Sequence, residues 1–388
     1  MPTEASSVVV PFIPGDGIGP EIMAAARSVL DAAVSASTDG YRAIRWVELS
    51  AGESSFRSSG EWLPSSAVSS IGRARAAIKG PLTTPVGGGI RSLNVALRQK
   101  LDLYASVRPV RHFRGVPSPV KNPEEVDLVI FRENTEDVYA GIEWGSGTAE
   151  ARSIRAFLRD SLGIELSEDA GLGLKSISER ASKRLVRAAI SYALAHGRGI
   201  VTLVHKGNIM KFTEGAFRDW GYEVARDEFA GMVFTGLETS PDGGVVLNDR
   251  IADNMFQQVL TRPSEYSVLA APNLNGDYLA DACAAQVGGL GFAPGANIGD
   301  GTALFEPVHG TAPKYAGKDF ANPCAMILSG AMMLDHLGLG AAANAVVTAV
   351  EGTLSDGMAT ADVARKGNDL RPVGTRRFSE EVVFRLTG

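Results

Sequence analysis

Arg98, Arg108 and Arg132 lie close together in the chain, beside the stretch Gly80-Pro81-Leu82-Thr83-Thr84-Pro85-Val86-Gly87-Gly88-Gly89-Ile90-Arg91-Ser92-Leu93-Asn94. A guanidinium grips a carboxylate through a forked pair of hydrogen bonds. Several of them near a glycine-rich turn describe a pocket for a small molecule with several carboxylates. Asn94 and Arg98 are four positions apart and share one face of a predicted helix. Ser92 stands just before that helix, where hydroxyls commonly cap. Taken alone, these residues describe a capped surface helix equally well; the neighbouring glycines and arginines favour the pocket. Arg108 and Arg132 are expected at or just past strand ends, where α/β folds gather ligand groups, although surface ion pairs would use the same spacing.

Further along, Asp277 and Asp281 form another four-residue pair. Two carboxylates one helical turn apart repel unless a cation sits between them. The helix dipole alone would favour Asp277 but not Asp281. Asp253 offers a third hard oxygen ligand that spacing does not place. Tyr139 ends a polar loop and could donate a proton to a carbanion or enol, yet most tyrosines only pack. Lys206 closes an apolar strand; partial desolvation there can lower a lysine pKa and make it a base, and a solvated lysine fits the position equally. The stretch 309–317 combines a ring, backbone donors and Lys314, which suits an adenosine and a ribose phosphate or simply a structural glycine loop. A polycarboxylate pocket, a divalent cation and an α/β scaffold together point to oxidative decarboxylation of a 2-hydroxy acid.

The elements that must position these groups alternate between strand and helix, which gives an α/β chain. Strands are expected over 7–13, 43–49, 75–79, 126–131, 199–205 and 265–270. Helices are expected over 21–34, 94–101, 179–195, 211–226, 249–261, 274–287, 325–337 and 341–355. Residues 143–174 read as an irregular arm and 288–322 as a glycine-rich ligand loop. Gly15-Asp16-Gly17-Ile18-Gly19 follows a strand and opens a helix, but the third glycine of a dinucleotide fingerprint would fall at Pro20. A standard Rossmann site is therefore rejected, and the segment reads as a tight turn. The chemistry-bearing residues are spread along the whole chain, so its domains are expected to interleave.

The 388 residues are 45% hydrophobic and 21% charged, ordinary for a globular protein long enough for two domains. A net charge of −6 gives no global positive field for nucleic acid or anionic lipid. Cys283 and Cys324 sit in apolar segments and read as buried free thiols suited to a reducing cytoplasm. The apolar run 8–13 is too short and lacks the basic flank of a secretory leader, and no run reaches the length of a membrane span.

At these residues the chain resembles the β-decarboxylating dehydrogenase family, and within it the bacterial NADP-dependent isocitrate dehydrogenases. The motifs that carry the resemblance are Gly80 to Asn94, Phe131-Arg132-Glu133-Asn134, Val204-His205-Lys206-Gly207-Asn208, Asn273-Leu274-Asn275-Gly276-Asp277 and His309 to Tyr315. It implies an open α/β sheet with a large cofactor-side domain (1–103 and 288–388), a small domain (104–136 and 179–287) and a clasp-like arm (137–178). It also implies an obligate homodimer. Ser92 and Asn94 would read a third substrate carboxylate while Arg98, Arg108 and Arg132 clamp the others. Tyr139 and Lys206 match the catalytic pair. Asp253, Asp277 and Asp281 match the ligands of Mg²⁺ or Mn²⁺, with Lys206 and Asp253 supplied by the partner subunit. Lys314, Tyr315, Arg262 and Arg365 match contacts to the NADP 2′-phosphate, Asn322 an adenine contact, and His309 and Gly310 belong to the same cofactor loop. A second phosphate-binding tyrosine of the family falls at Ala361, a departure that leaves NAD open. Homoisocitrate, 3-isopropylmalate, a phosphonate analogue or a catalytically idle subunit are the alternatives. The polar Ser92 and Asn94 argue against an alkyl substrate, and retention of Tyr139, Lys206 and the three aspartates argues against idleness.

Overall fold

The computed structural model describes residues 6–38, 40, 42–84, 92–241, 243–365 and 369–388. Its centre is an eleven-stranded sheet. The strand order is Arg42–Glu48, Ser6–Ile13, Ala76–Lys79, Ala303–Pro307, Pro294–Ile298, Ala105–Arg111, Asp127–Glu133, Val268–Ala271, Ile200–His205, Val245–Ile251 and Val233–Phe234. Neighbours run parallel except in the middle, where Pro294–Ile298 is antiparallel to both its neighbours and Ala105–Arg111 is antiparallel to Asp127–Glu133. The amino-terminal strand, rich in β-branched valine, pairs on both edges.

Helices cover both faces. On one, Gly19–Ser37 lays Ile22, Ala26, Val29, Leu30 and Ala33, spaced at a helical period, against Cys324–His336, Gly340–Ser355 and Thr375–Thr387. Glu179–Ala195 and Glu214–Glu228 continue that layer over the other half of the sheet. On the opposite face Leu93–Lys100 packs Leu93 and Leu97 on Ile13, Ala77 and Leu304. Ala252–Thr261 and Asn273–Gln286 close the same face through Met255, Leu279 and Cys283, against Val204, Ile130 and Leu269. Truncating one of these fully buried leucines to alanine costs about 2–5 kcal/mol. Among the described residues no helix is long and apolar enough to cross a membrane.

Two segments differ from the sequence expectation. The arm is not irregular: Ala149–Leu162 is a helix, started by the Thr148 hydroxyl, which accepts from the Ala151 amide, and ended by Gly163 in the left-handed region. Ala151, Ile154, Leu158 and Leu162 recur at a helical period, but Gly145, Gly147 and Gly163 around them read as irregular chain. Glu143–Trp144 and Leu172–Gly173 pair antiparallel in the same arm. The stretch 288–322 holds two central strands, because Ala303, Leu304 and Phe305 form a continuous apolar run buried on both faces. Residues 245–251 are likewise a strand rather than a helix start, and Thr375–Thr387 is a further helix. The expected arginine positions shift slightly: Arg108 lies within its strand, and Arg132 is next to last in its own.

The turn at 14–19 is a packing joint. Its Asp16 carboxylate accepts from the amides of Glu53 at 2.9 Å and Thr83 at 2.8 Å, and the Ile18 amide donates to the Thr311 carbonyl at 2.9 Å. A Cβ on Gly80 would stand 2.1 Å from the Pro14 carbonyl oxygen, where backbone faces backbone. Gly80→Ala should therefore cost about 1–3 kcal/mol in urea unfolding by forcing this joint apart. An unchanged unfolding midpoint would show that the joint yields freely.

Candidate active site

Strand register builds the site. In paired strands, residues directly opposite point to the same face, and so do alternate residues along a strand. Glu306 pairs with Gly295, Asn297 with Ser106, and Ser106 with Arg132. Arg108 follows Ser106 by two, and Lys79 follows the Ile78–Phe305 pairing by one. Lys79, Glu306, Asn297, Ser106, Arg108 and Arg132 thus share one face, in a strip running across the middle of the sheet. Two helices flank the strip. Leu93–Lys100 brings Asn94 and Arg98 from one side, and Asn273–Gln286 brings Asp277 and Asp281 from the other.

The groups meet as ion pairs. Glu306 takes the Lys79 ammonium at 2.5 Å, Arg98 at 3.1 Å and the Asn297 amide at 2.7 Å. Burial alone would raise its pKa, but Lys79 and Arg98 hold the carboxyl well below the usual glutamate range. Arg108 lies 3.3 Å from Asp281 and 3.6 Å from Asp277. Arg132 bonds Asp277 directly and donates through Nε to Asn273 at 2.8 Å. Burial, and after it the charge of Arg108, pulls the Arg132 pKa down to about 10, still fully charged at neutral pH. Burial also raises the Asp281 pKa.

Tyr139 joins this cluster. It follows Asp137 in the turn Asp137–Ala140, donates its hydroxyl to Asp277, and lies with its ring 4.6 Å from the Arg132 guanidinium carbon. Burial and the Asp277 bond raise its pKa, so it keeps its proton at neutral pH. Ser92 is the cap residue of its helix, yet its hydroxyl makes no bond to the helix amides. Asn94 Oδ1, Arg98 Nε and Arg132 Nη2 are buried without a hydrogen-bond partner among the described residues. Buried polar atoms are almost always paired, so three unpaired ones lining a cationic pocket fit an incoming polar anion. Residues 85–91, which hold the expected glycines Gly87 to Gly89 and Arg91, lie outside the described residues.

Lys206 and Asp253 form their own pair, separate from the tyrosine cluster. The hydrogen bond from Lys206 holds the Asp253 carboxyl below its usual range. His205 braces the strand end. Its Nδ1 accepts from the Gly207 amide at 3.0 Å, which leaves Nε2–H to donate to Asp249 at 3.0 Å. Among the described residues no three acidic, histidine or cysteine side chains gather at one point. Asp277 and Asp281 stand together and Asp253 stands apart.

At the expected cofactor loop, Lys314 lies 4.7 Å from the Tyr315 ring, Tyr315 stacks on Phe320 at 5.2 Å, and Arg365 sits 5.3 Å from the Phe320 ring. Four side chains thus form one cationic-aromatic ledge. His309 donates through Nδ1 to the Gly310 carbonyl at 2.9 Å, burial lowers its pKa, and its buried Nε2 has no partner. Asn322 donates to Asp362 at 3.3 Å and accepts from the Cys324 amide. Arg262 sits elsewhere, 3.8 Å from Glu265. Sequence reasoning missed Lys79 and Glu306. Both sit in segments that read as apolar strand or loop, and the 2.5 Å pair they form spans too much chain for local spacing to reveal.

A family model described as isocitrate/isopropylmalate dehydrogenase matches residues 9–382. An NADP-dependent isocitrate dehydrogenase from Archaeoglobus fulgidus is 56% identical over 385 residues, covering 97% of this chain and 92% of its own. The enzyme of the same name from Haloferax volcanii is 54% identical over 385 residues, with 97% and 91% covered. The crystal structure of isocitrate dehydrogenase from Methylococcus capsulatus superposes with a TM-score of 0.82 at 39% identity, covering 98% of this chain and all of that one.

Glu306→Gln should strand the buried Lys79 and lose about 3–5 kcal/mol of stability at pH 7. Because the folded carboxyl titrates below the unfolded value of about 4.3, wild-type stabilisation by this pair is complete above that pH and fades as pH falls. Urea unfolding at pH 7 and in acid should show the gap between wild type and variant narrowing with acidification. A gap independent of pH would remove the ion pair as its cause.

Proposed function

This chain belongs to the isocitrate/isopropylmalate dehydrogenase family, and from that premise we propose that the cationic strip is its active site. The chain is an NADP-dependent isocitrate dehydrogenase, oxidising and decarboxylating isocitrate to 2-oxoglutarate. The observation that carries the site assignment is the set of unpaired buried atoms on Asn94, Arg98 and Arg132, beside an acidic helix face and a protonated tyrosine. Arg98, Arg108 and Arg132 bind carboxylates, and Ser92 with Asn94 reads the remaining one. That polar pair disfavours an alkyl-substituted malate, and retained proton-handling groups disfavour an idle subunit.

When bound, the nicotinamide accepts the hydride and a Mg²⁺ or Mn²⁺ ion stabilises the negative charge that develops on the 2-oxo acid. Asp277 and Asp281 would hold that cation, with Asp253 of a second copy as the third carboxylate. Lys206, paired with Asp253, takes the substrate hydroxyl proton. Tyr139 returns a proton to C3 after CO₂ leaves; its raised pKa keeps the acid loaded, and the Arg132 cation beside its ring offsets the charge it would then carry. Lys314, Tyr315, Arg365 and Arg262 hold the 2′-phosphate, while Asn322 and the His309-Gly310 turn face the adenosine. Ala361 contributes no hydroxyl to that grip.

The single chain leaves Lys206 and Asp253 outside the tyrosine cluster, which supports assembly as a homodimer. The exposed apolar residues of the arm, Phe157, Leu162 and Ile164 among them, support the arm as its clasp. The sheet halves on either side of the Pro294–Ile298 and Ala105–Arg111 seam support the interleaved large and small domains. Two buried free thiols suit the cytoplasm.

Steady-state assays with isocitrate, homoisocitrate and 3-isopropylmalate, each with NADP or NAD and Mn²⁺, should give isocitrate with NADP the highest kcat/KM, and chelation should abolish turnover. Lys206→Met should lower kcat by about 10²–10⁴-fold while isocitrate still binds. Near-normal turnover in that variant would remove Lys206 as the base. Light scattering should give twice the 40.8 kDa chain mass; a monomer that turns over would refute the shared site.

A further inference from the structure

Three segments carry the proposed proton-handling and metal-holding groups: the turn with Tyr139, the strand end with Lys206 and the helix with Asp277. Each ends in a hydrogen bond to one of two carboxylates buried behind the site. The Asp137 carboxylate accepts from its neighbour Val138 at 2.7 Å through Oδ1 and from the Leu274 amide at 3.1 Å through Oδ2. It thereby ties the tyrosine turn to the first turn of the Asp277 helix. The Glu214 carboxylate accepts through Oε2 from the Lys206 backbone amide at 2.5 Å and from Asn275 Nδ2 at 2.7 Å, which ties the lysine segment to the same helix. Asp137 is 1% exposed and Glu214 is fully buried.

One cation serves both. The Lys175 ammonium lies 2.6 Å from Asp137 Oδ1 and 3.0 Å from Glu214 Oε1. Asp137 also holds a positive φ of 70°, a conformation that costs a non-glycine residue energy and persists only where its surroundings over-determine it. Its amide donates to the Ser176 carbonyl at 2.9 Å, beside Lys175. The strained residue two positions before Tyr139 is therefore fixed from both the Lys175 segment and the Asp277 helix.

We propose that Lys175 is a positioning residue for the reaction: bridging Asp137 and Glu214, it sets the Tyr139 turn, the Lys206 strand end and the Asp277 helix in one fixed arrangement. This rests on the isocitrate dehydrogenase reading above. Lys175 touches neither the arginines nor the ledge at 314–320, so substrate affinity is carried by other groups. What its loss disturbs is the placement of the acid against the metal-holding carboxylate within one site, and the placement of the base that the same copy lends to the other site; the chemical step is most sensitive to both.

The test compares wild type, Lys175→Met and the double variant Lys175→Met/Glu214→Gln as full-length chains. Each is assayed with isocitrate, NADP and Mn²⁺ and unfolded in urea. Lys175→Met should lower kcat by about 100-fold, the loss that an ångström of misplacement can bring, with the KM for isocitrate moving less than about threefold. It should also unfold earlier, because two buried carboxylates lose their counter-charge. The double variant removes one of those charges and should regain most of the unfolding midpoint while its kcat stays low. Recovery of kcat together with stability would mean that Lys175 only balances charge, and the proposal would be overturned. Wild-type kcat in Lys175→Met overturns it as well. An inactive wild type would overturn the functional reading and this proposal together, whereas an active wild type beside an equally active Lys175→Met overturns the positioning role alone.

Discussion

Burying positive charge without enough negative charge is the constraint on which the site depends. Along the strip, among the described residues, Lys79, Arg98, Arg108 and Arg132 face only Glu306, Asp277 and Asp281. Four cations share three carboxylates, and each guanidinium depresses its neighbour: after burial, the Arg98 charge is the next cause lowering the Arg108 pKa, as Arg108 is for Arg132. A fully neutralised cluster would have no use for a ligand. This one is one negative charge short, and a tricarboxylate carrying a divalent cation brings a net charge of minus one. On the proposed reading, the substrate–metal pair is the missing counter-ion, and the folded chain bears the cost of keeping its place open.

That cost is contained by where the charges sit. The strand-borne part of the strip lies on one face of the sheet, fixed by the register of five neighbouring strands, while the opposite face of the same strands is apolar and buried under helices. A slip of one residue in any of these pairings would send the charges into the apolar layer. The requirement to bury Val107, Phe131 and Phe305 therefore specifies the register that assembles the arginines. Core packing and site assembly are one constraint here, which is why so polar a strip can occupy the middle of a large sheet.

The sequence reveals the groups held by local periodicity and hides those held by register. Asn94 with Arg98, and Asp277 with Asp281, are one helical turn apart, so their shared faces could be read directly. The two helices also lie within a residue or two of their expected limits. Lys79 and Glu306 form the most buried ion pair of the strip, yet they meet only because a crossover returns residues 303–307 beside 76–79. Nothing local announces that. The arm helix shows a different case: its Thr148 and Gly163 caps and the period through Ala151, Ile154, Leu158 and Leu162 are all in the chain, but the glycines at 145, 147 and 163 read as irregular backbone and outweigh them. Asp137, Lys175 and Glu214 look like unremarkable charges in separate segments, and only the folded chain shows that they close on one another.

The proton-handling groups each sit on a carboxylate, and the two carboxylates differ in a way that suits opposite roles. Tyr139 donates to Asp277 while the Arg132 cation flanks its ring; burial raises its pKa, so it rests as an acid. Lys206 is paired with Asp253 at a much more exposed position, 70% accessible on the aspartate side. An exposed ion pair is a poor base while water surrounds it, because hydration stabilises the ammonium. The Lys206 side chain is 32% accessible, so water reaches it in the single copy. Tyr139 is half-buried by its own chain. On the proposed reading the acid is therefore held within one copy, whereas the base is shielded from water by a surface of another, so that proton abstraction belongs to the assembled protein.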